Sequence, residues 1–138
     1  MIKNDINIFL EKILSPKYDS FFFEHPDRNS INSEIDAVIY SRKEIKEKAL
    51  FLRERYKNIS YPDNYGLSEN NIIIRKHNKK SCIILMEKWW EEIRKYSHRD
   101  QLSLSYIIWK TGIKFKYISK GIFWEYINLT SHSKLIKF

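Results

Sequence analysis

A chain of 138 residues with 43% hydrophobic and 15% aromatic content is long enough to bury a core and too aromatic for a disordered chain, so one folded domain at most is expected. Its single cysteine, Cys82, excludes an internal disulfide framework and any cysteine-based zinc cluster, and fits a reducing compartment. The formal net charge of +8 favours anionic partners. However, Lys43, Lys46 and Lys48 are interleaved with Glu44, Glu47 and Glu54, as on a solvated helix face, and AT-rich coding sequences produce the same Lys-, Asn- and Ile-rich balance.

The opening "MIKNDINIFLEKIL" is charged and has no apolar h-region, so it does not read as a signal peptide. Nor is there any run of about 18 apolar residues that would span a bilayer. A soluble, cytoplasmic protein is expected, with at most peripheral contact at the inner face of a membrane.

In chain order, Ile6, Phe9, Leu10, Ile13 and Leu14 recur at helical spacing, with Asn4 or Asp5 as N-cap and Pro16 beyond the end. "DSFFFEH" predicts a buried strand that delivers Glu24 and His25 to its end. "NSEIDAVIY" predicts a helix capped by Ser33. "SRKE" has the form of a capping box, Ser41 with Glu44, opening a helix to about Tyr56. "NISYPDNYGLSEN" gathers turn residues and predicts a loop. "NIIIRKHN" predicts a strand ending on Arg75 and His77. Ser81 is the expected cap of a helix with Ile84, Leu85, Trp89 and Ile93 on one face. "SHRD" breaks it, and Asp100 is the expected cap of a further helix stopped at Thr111 and Gly112. "IKFKYI" alternates like a strand, "GIFWEYINL" reads as another, and the tail is basic. The alternation is that of an α/β protein without repeats or a domain boundary.

Three glycines leave no dinucleotide fingerprint or P-loop, and no H-E-x-x-H or G-x-S-x-G occurs. The four histidines are scattered. What remains are polar clusters at the ends of apolar elements, "EHPDR", "RKHN" and "HRDQ", and in α/β folds ligands sit at the carboxyl ends of strands. His25 as an ordinary surface histidine and Asp100 as a simple helix cap are the plainer readings of each cluster taken singly.

"GLSENNIIIRKHN" followed by "LMEKWWEEIRKYSHRDQLSLSYIIWK" resembles a glycosyltransferase-like domain family, formerly of unknown function. Its members include plant Golgi proteins tied to mucilage polysaccharide and turgor, and proteins of bacterial polysaccharide loci. "EHPDRNSINSEID" is similar to the family's H-P-x-R segment and the acidic residue after it, here Glu34. The resemblance covers residues 21–118 within a single partial domain of residues 1–138. It implies a GT-A-like, Rossmann-type α/β fold that transfers a sugar from a nucleotide-diphospho-sugar to a glycan acceptor in polysaccharide or surface-glycan synthesis. "RDQLSL" also resembles the D-Q-D segment of one family of retaining glycosyltransferases.

A complete GT-A enzyme carries a D-x-D pair that holds Mn²⁺ or Mg²⁺ against the diphosphate. This sequence has no D-x-D, and its opening resembles the segment that follows that motif. The expectation is therefore a C-terminal part lacking the nucleotide-binding half. A partner chain would supply that half, or the chain is inactive alone, and metal is not bound tightly here. Apolar faces such as Ile6, Phe9 and Ile13 should then lie uncovered. On this resemblance Asp100 is the catalytic candidate, as base toward an acceptor hydroxyl or as stabiliser of charge at the anomeric carbon. Arg28, Arg75 and Arg99 suit diphosphate or anionic sugar oxygens, and Gln101 and Asn78 suit sugar hydroxyls. His25, Glu34 and His77 complete the expected substrate-binding set. Trp89 and Trp90 point about 100° apart on one helix, so one is core and the other, Trp90, is available to stack on a sugar. His132 stands where many GT-A enzymes supply a late metal-binding histidine.

The competing reading is a basic, non-enzymatic binding module for nucleic acid or anionic surfaces. Because the basic residues are dispersed among acids and no nucleic-acid motif occurs, DNA or RNA affinity should be weak and steeply salt-dependent. Filter-binding titrations against salt check this; sub-micromolar, sequence-selective binding at physiological salt would favour the module instead.

Overall fold

The computed structural model describes residues 5–127. In chain order these form α1 (Ile6–Ile13), β1 (Ser20–Glu24), α2 (Ile31–Tyr40), α3 (Lys46–Asn58), β2 (Ser68–Arg75), α4 (Lys80–Lys95), a 3₁₀ turn (Asp100–Leu102), α5 (Leu104–Thr111), β3 (Lys116–Ile118) and α6 (Lys120–Tyr126). The fold is mixed α/β, as expected. Its sheet has the order β2-β1-β3, with β1 antiparallel to β2 and parallel to β3.

The central strand explains the layering. Side chains alternate across a strand, and Phe21, Phe22 and Phe23 are all fully buried. Phe22 joins a core built with α2, α3, α4 and α5, including Ile35, Leu52, Leu85, Trp89 and Ile108. Phe21 and Phe23 face the other way, toward Phe9 and Ile13 of α1, Ile118 of β3, and Phe123 and Tyr126 of α6. A strand covered on both faces needs an unbroken apolar run, and "FFF" supplies it.

This second core corrects the expectation that α1 lies uncovered. Phe9 and Ile13 are buried, Phe9 stacking on Phe23 with ring centroids 6.1 Å apart, and only Ile6 of the three remains exposed. The cover comes from α6 (Lys120–Tyr126), where the sequence predicts a strand: Phe123 and Tyr126 recur at helical spacing and share one buried face. No helix among the described residues is long and apolar enough to cross a membrane.

Several helix starts differ from the sequence expectation. The N-cap of α2 is Ser30, whose Oγ accepts from Ser33 N, so Ser33 receives the cap rather than making it. Asp63, from a loop 31 and 32 residues on, accepts the Asn32 and Ile31 amides at 2.9 and 2.8 Å. Ser41 closes α2, its Oγ donating to the Ala37 carbonyl, while Glu44 accepts from Ile45 N and Ser97 Oγ; the capping box is not formed. Ser81 lies inside α4 and donates to Asp19 Oδ2 at 2.6 Å instead of capping. Asp100 opens the 3₁₀ turn, and α5 starts later, at Leu104. As expected, α5 ends at Gly112, which is left-handed at φ +64°.

β2 begins earlier than the isoleucine run predicts, at Ser68, and it is irregular. Phe22 pairs with Ile73, but the next residue, Phe23, pairs with Glu69, so residues 70–72 bulge out of the ladder. Bulges bend a strand and re-aim its side chains. Here the re-aimed residues lie at the polar end of β1.

Phe22→Ala should remove the ring that packs edge-on against Trp89 at 6.4 Å and tilted against Phe115 at 6.1 Å. A loss of about 3–5 kcal/mol in urea unfolding free energy is expected for this cavity.

Candidate functional site

β1 stays apolar up to Glu24, and the chain then turns through the H-P-D-R loop, residues 25–28. A cleft of about 510 Å³ opens there. Its walls are this loop, Glu34 of α2, the bulged start of β2 (residues 69–71), the R-D-Q turn (residues 99–101), and Lys43. Among the sequence-predicted residues, His25, Arg28, Glu34, Arg99, Asp100 and Gln101 meet in this one place.

Arg75, His77 and Asn78 do not join them. The antiparallel pairing sets Arg75 opposite Ser20 at the far end of β1, while Glu69 lies opposite Phe23. Antiparallel pairing sends the carboxyl ends of β1 and β2 in opposite directions, so the clusters that follow them cannot meet. Trp89 is the core tryptophan, and Trp90 is 58% exposed without lining the cleft. His132 lies outside the described residues. Glu69, Asn70, Asn71 and Lys43 escaped the sequence reading. The turn residues around "SEN" predict a loop, and nothing short of the bulge shows where it points.

The H-P-D-R loop is held by His25. Its Nδ1 accepts the backbone amides of Asp27 and Arg28, both at 3.1 Å. Nε2 is 3.0 Å from Arg28 Nη2, and 3.9 and 3.8 Å from Oε2 of Glu34 and Glu69. Burial, and then the Arg28 charge, hold the His25 pKa below its ordinary value of 6.5. The side chain of Glu34 is buried (3% exposed) and accepts from Arg28 Nε at 2.5 Å. A buried carboxylate needs such a partner, so these two charges are committed to each other.

The R-D-Q turn is fixed from behind. Trp89 Nε1 donates to the Asp100 carbonyl at 3.2 Å, Tyr56 OH to the Leu102 carbonyl at 2.8 Å, and Gln101 Nε2 to the Ser68 carbonyl at 3.3 Å. Gln101 thereby ties the turn to the start of β2. The Asp100 carboxylate, half-buried, accepts among the described residues only from Gln101 N, through Oδ1 at 3.0 Å. It lines the cleft and makes a local backbone bond at once.

Glu69 makes no hydrogen bond among the described residues. Burial, followed by the nearby Glu34 and Asp100 charges, raises its pKa above the ordinary 4.5, against the opposing pull of Arg28 and Arg99. Two further cleft atoms, Asn70 Nδ2 and Arg99 Nε, are buried without partners among the described residues. A second cleft, of about 450 Å³, lies against the same loop and includes Tyr117 and Lys120. Gly66 makes room there: at φ +74°, a Cβ on it would come within 2.7 Å of the Tyr117 ring.

The resemblance implies a divalent cation, which needs several converging free donors. Among the described residues no three His, Cys, Asp or Glu side chains converge in this way, and Arg28 already engages Glu34. The donors present do not fit such an ion. An arginine clamp for diphosphate is likewise not assembled, since Arg28 is engaged, Arg75 lies at the other end of β2 and only Arg99 faces the cleft uncommitted to an acid.

The TOD1/MUCI70 glycosyltransferase-like domain family matches residues 2–127, more than the 21–118 region carrying the motifs. No curated protein and no solved structure matches the chain.

Because Glu69 has a raised pKa in the folded state, its contribution to stability is present below the ordinary value of 4.5 and lost as pH rises through the folded value. Glu69→Gln mimics the protonated form. It should melt above the unsubstituted protein at pH 7, with the difference vanishing as pH falls toward 4; thermal melts across that range check it. A variant less stable at pH 7 would contradict this account of Glu69.

Proposed function

Since the chain belongs to the TOD1/MUCI70 glycosyltransferase-like domain family, we propose that it forms the acceptor side of a transferase. That transferase moves a sugar from a nucleotide-diphospho-sugar to a glycan acceptor in polysaccharide or surface-glycan synthesis. The observation that carries the reading is the convergence of the H-P-D-R loop, Glu34 and the R-D-Q turn, distant in sequence, on one polar cleft.

Within it Asp100 is the group suited to act on the acceptor. Its backbone is immobilised by Trp89 and its carboxylate keeps Oδ2 free of bonds among the described residues. A carboxylate so placed takes the proton from an acceptor hydroxyl as that oxygen attacks the anomeric carbon, or balances positive charge growing there. His25 and Arg28 act one step back: they fix the loop and Glu34 rather than bond the substrate. The diphosphate is held by other residues, and a chain bearing a D-x-D pair is the partner this reading calls for. The cleft's four carboxylates, Asp27, Glu34, Glu69 and Asp100, against Arg28, Lys43 and Arg99, disfavour a polyanion such as nucleic acid at this position.

The test is transfer of radiolabelled sugar from nucleotide-diphospho-sugars to oligosaccharide acceptors, with the chain supplied alone and together with a D-x-D-bearing chain. Asp100→Asn keeps the size of the side chain and its amide contact, so the melting temperature should barely move. Transfer should fall by on the order of a hundredfold or more, as for loss of a general base. Unchanged turnover would return Asp100 to a turn-forming role.

A further inference from the structure

We infer that the bulge of β2 and the R-D-Q turn form a subsite for an uncharged, hydroxyl-rich sugar ring, and that this subsite turns phosphate away. The inference rests on the transfer reading and names the chemistry of the acceptor.

Arg28 and Glu34 are paired with each other, and Gln101 is turned to the Ser68 carbonyl. What remains for a ligand is a mixed set. Glu69 accepts no hydrogen bond among the described residues, and Asp100 accepts only one. Asn70 Nδ2 and Arg99 Nε are buried donors without acceptors, a costly state that a ligand oxygen relieves. Both atoms are enclosed in this arrangement, so pairing with a ligand takes a rotation that exchanges the bond from Ser68 Oγ to Asn70 Oδ1 (2.6 Å), or the one from Arg99 Nη2 to Gln101 Oε1 (3.3 Å), for bonds to the ligand.

A sugar hydroxyl both donates and accepts, so one ring can give its protons to Glu69 and Asp100 and its lone pairs to Asn70 and Arg99. Phosphate is chiefly an acceptor, and its charge would meet two carboxylates that already oppose each other. The cleft, about 510 Å³, is within the ~300–1,000 Å³ range of small-molecule sites. Among the described residues no Phe, Tyr or Trp lines it, so recognition runs through hydrogen bonds and affinity for one ring should be on the order of millimolar.

The experiment is saturation-transfer NMR on the folded chain, at physiological salt. The probes are the methyl glycosides of glucose, galactose and mannose, and inorganic pyrophosphate, each at tens of millimolar. At least one glycoside should bind saturably and should not be displaced by pyrophosphate. Binding should weaken by on the order of tenfold in Glu69→Gln and in Asn70→Ala, the range of a lost hydrogen bond to a charged or buried group. Asn78→Ala, at the far end of β2, should bind like the unsubstituted chain. Glu69→Gln is not expected to lose stability, so it keeps the test open if Asn70→Ala does not fold.

Pyrophosphate that binds in place of the glycosides, no glycoside binding at all, or binding equally strong in both cleft variants would each overturn the inference. Pyrophosphate binding alongside Asp100-dependent transfer would leave the transferase reading standing without this subsite. Glycoside binding with the predicted losses but no transfer would support the subsite and remove the transferase reading.

Discussion

Phe22 packs into one core and Phe21 and Phe23 into the other, and this double burial of a five-residue strand decides where the rest of the chain can go. A strand covered on both faces has no side on which to carry polar chemistry. Polar groups can appear only where it ends, at Glu24 and the loop after it. The neighbouring strands then bring different ends to that point. Antiparallel β2 contributes its start, Ser68 and Glu69, and parallel β3 contributes its finish, next to Lys120. Two clefts therefore flank one loop, and the isoleucine-rich length of β2 leads away from them.

The polar end is kept rigid by groups that belong to the core. The R-D-Q turn has carbonyls held by Trp89 and Tyr56, both buried, and Tyr56 lies against Tyr106 at 4.6 Å. The same aromatic layer covers the Arg55–Glu92 ion pair, with Arg55 4.1 Å from the ring centroid of Tyr96. An ionic triplet beside a cluster of aromatics is thus one construction: the rings fix the backbone, so that the side chains of Arg99 and Asp100 can stand at the cleft. Asp100 serves the turn through one oxygen and the cleft through the other, and neither role excludes its alternative.

How legible this was depends on the range of the interaction. The buried "FFF" run, the helical spacing in α1 and α4 and the left-handed glycine that ends α5 are local patterns, and they read correctly. The split of Trp89 and Trp90 into core and surface also followed from helix geometry alone. Caps failed where the deciding partner is distant: Asp63 takes the amides at the start of α2, and Ser81 spends its hydroxyl on Asp19. α6 failed because an apolar run of nine has no length signal separating helix from strand. Glu69 and Asn70 were missed for a different reason. Their orientation comes from three extra residues in one strand of a ladder, and no single-strand pattern records what its neighbour lacks.

The same distinction explains why the chain's charge says little about its cleft. The excess of +8 is a sum over the whole sequence, and one apolar groove elsewhere, beside Ile84 and Ile113, is bordered by Lys80, Lys88 and Lys110. Carboxylates outnumber cations in the polar cleft, and two of its charges cancel in the Arg28–Glu34 pair. A ligand meets the local field and the unpaired groups, not the sum over the surface. Arginine, glutamate and histidine at the loop therefore act as scaffold because they are already bonded. Among the described residues Glu69 makes no hydrogen bond, Asp100 keeps one oxygen unbonded, and Asn70 Nδ2 and Arg99 Nε have no acceptor, so hydrogen-bonding capacity in the cleft is left on these four residues.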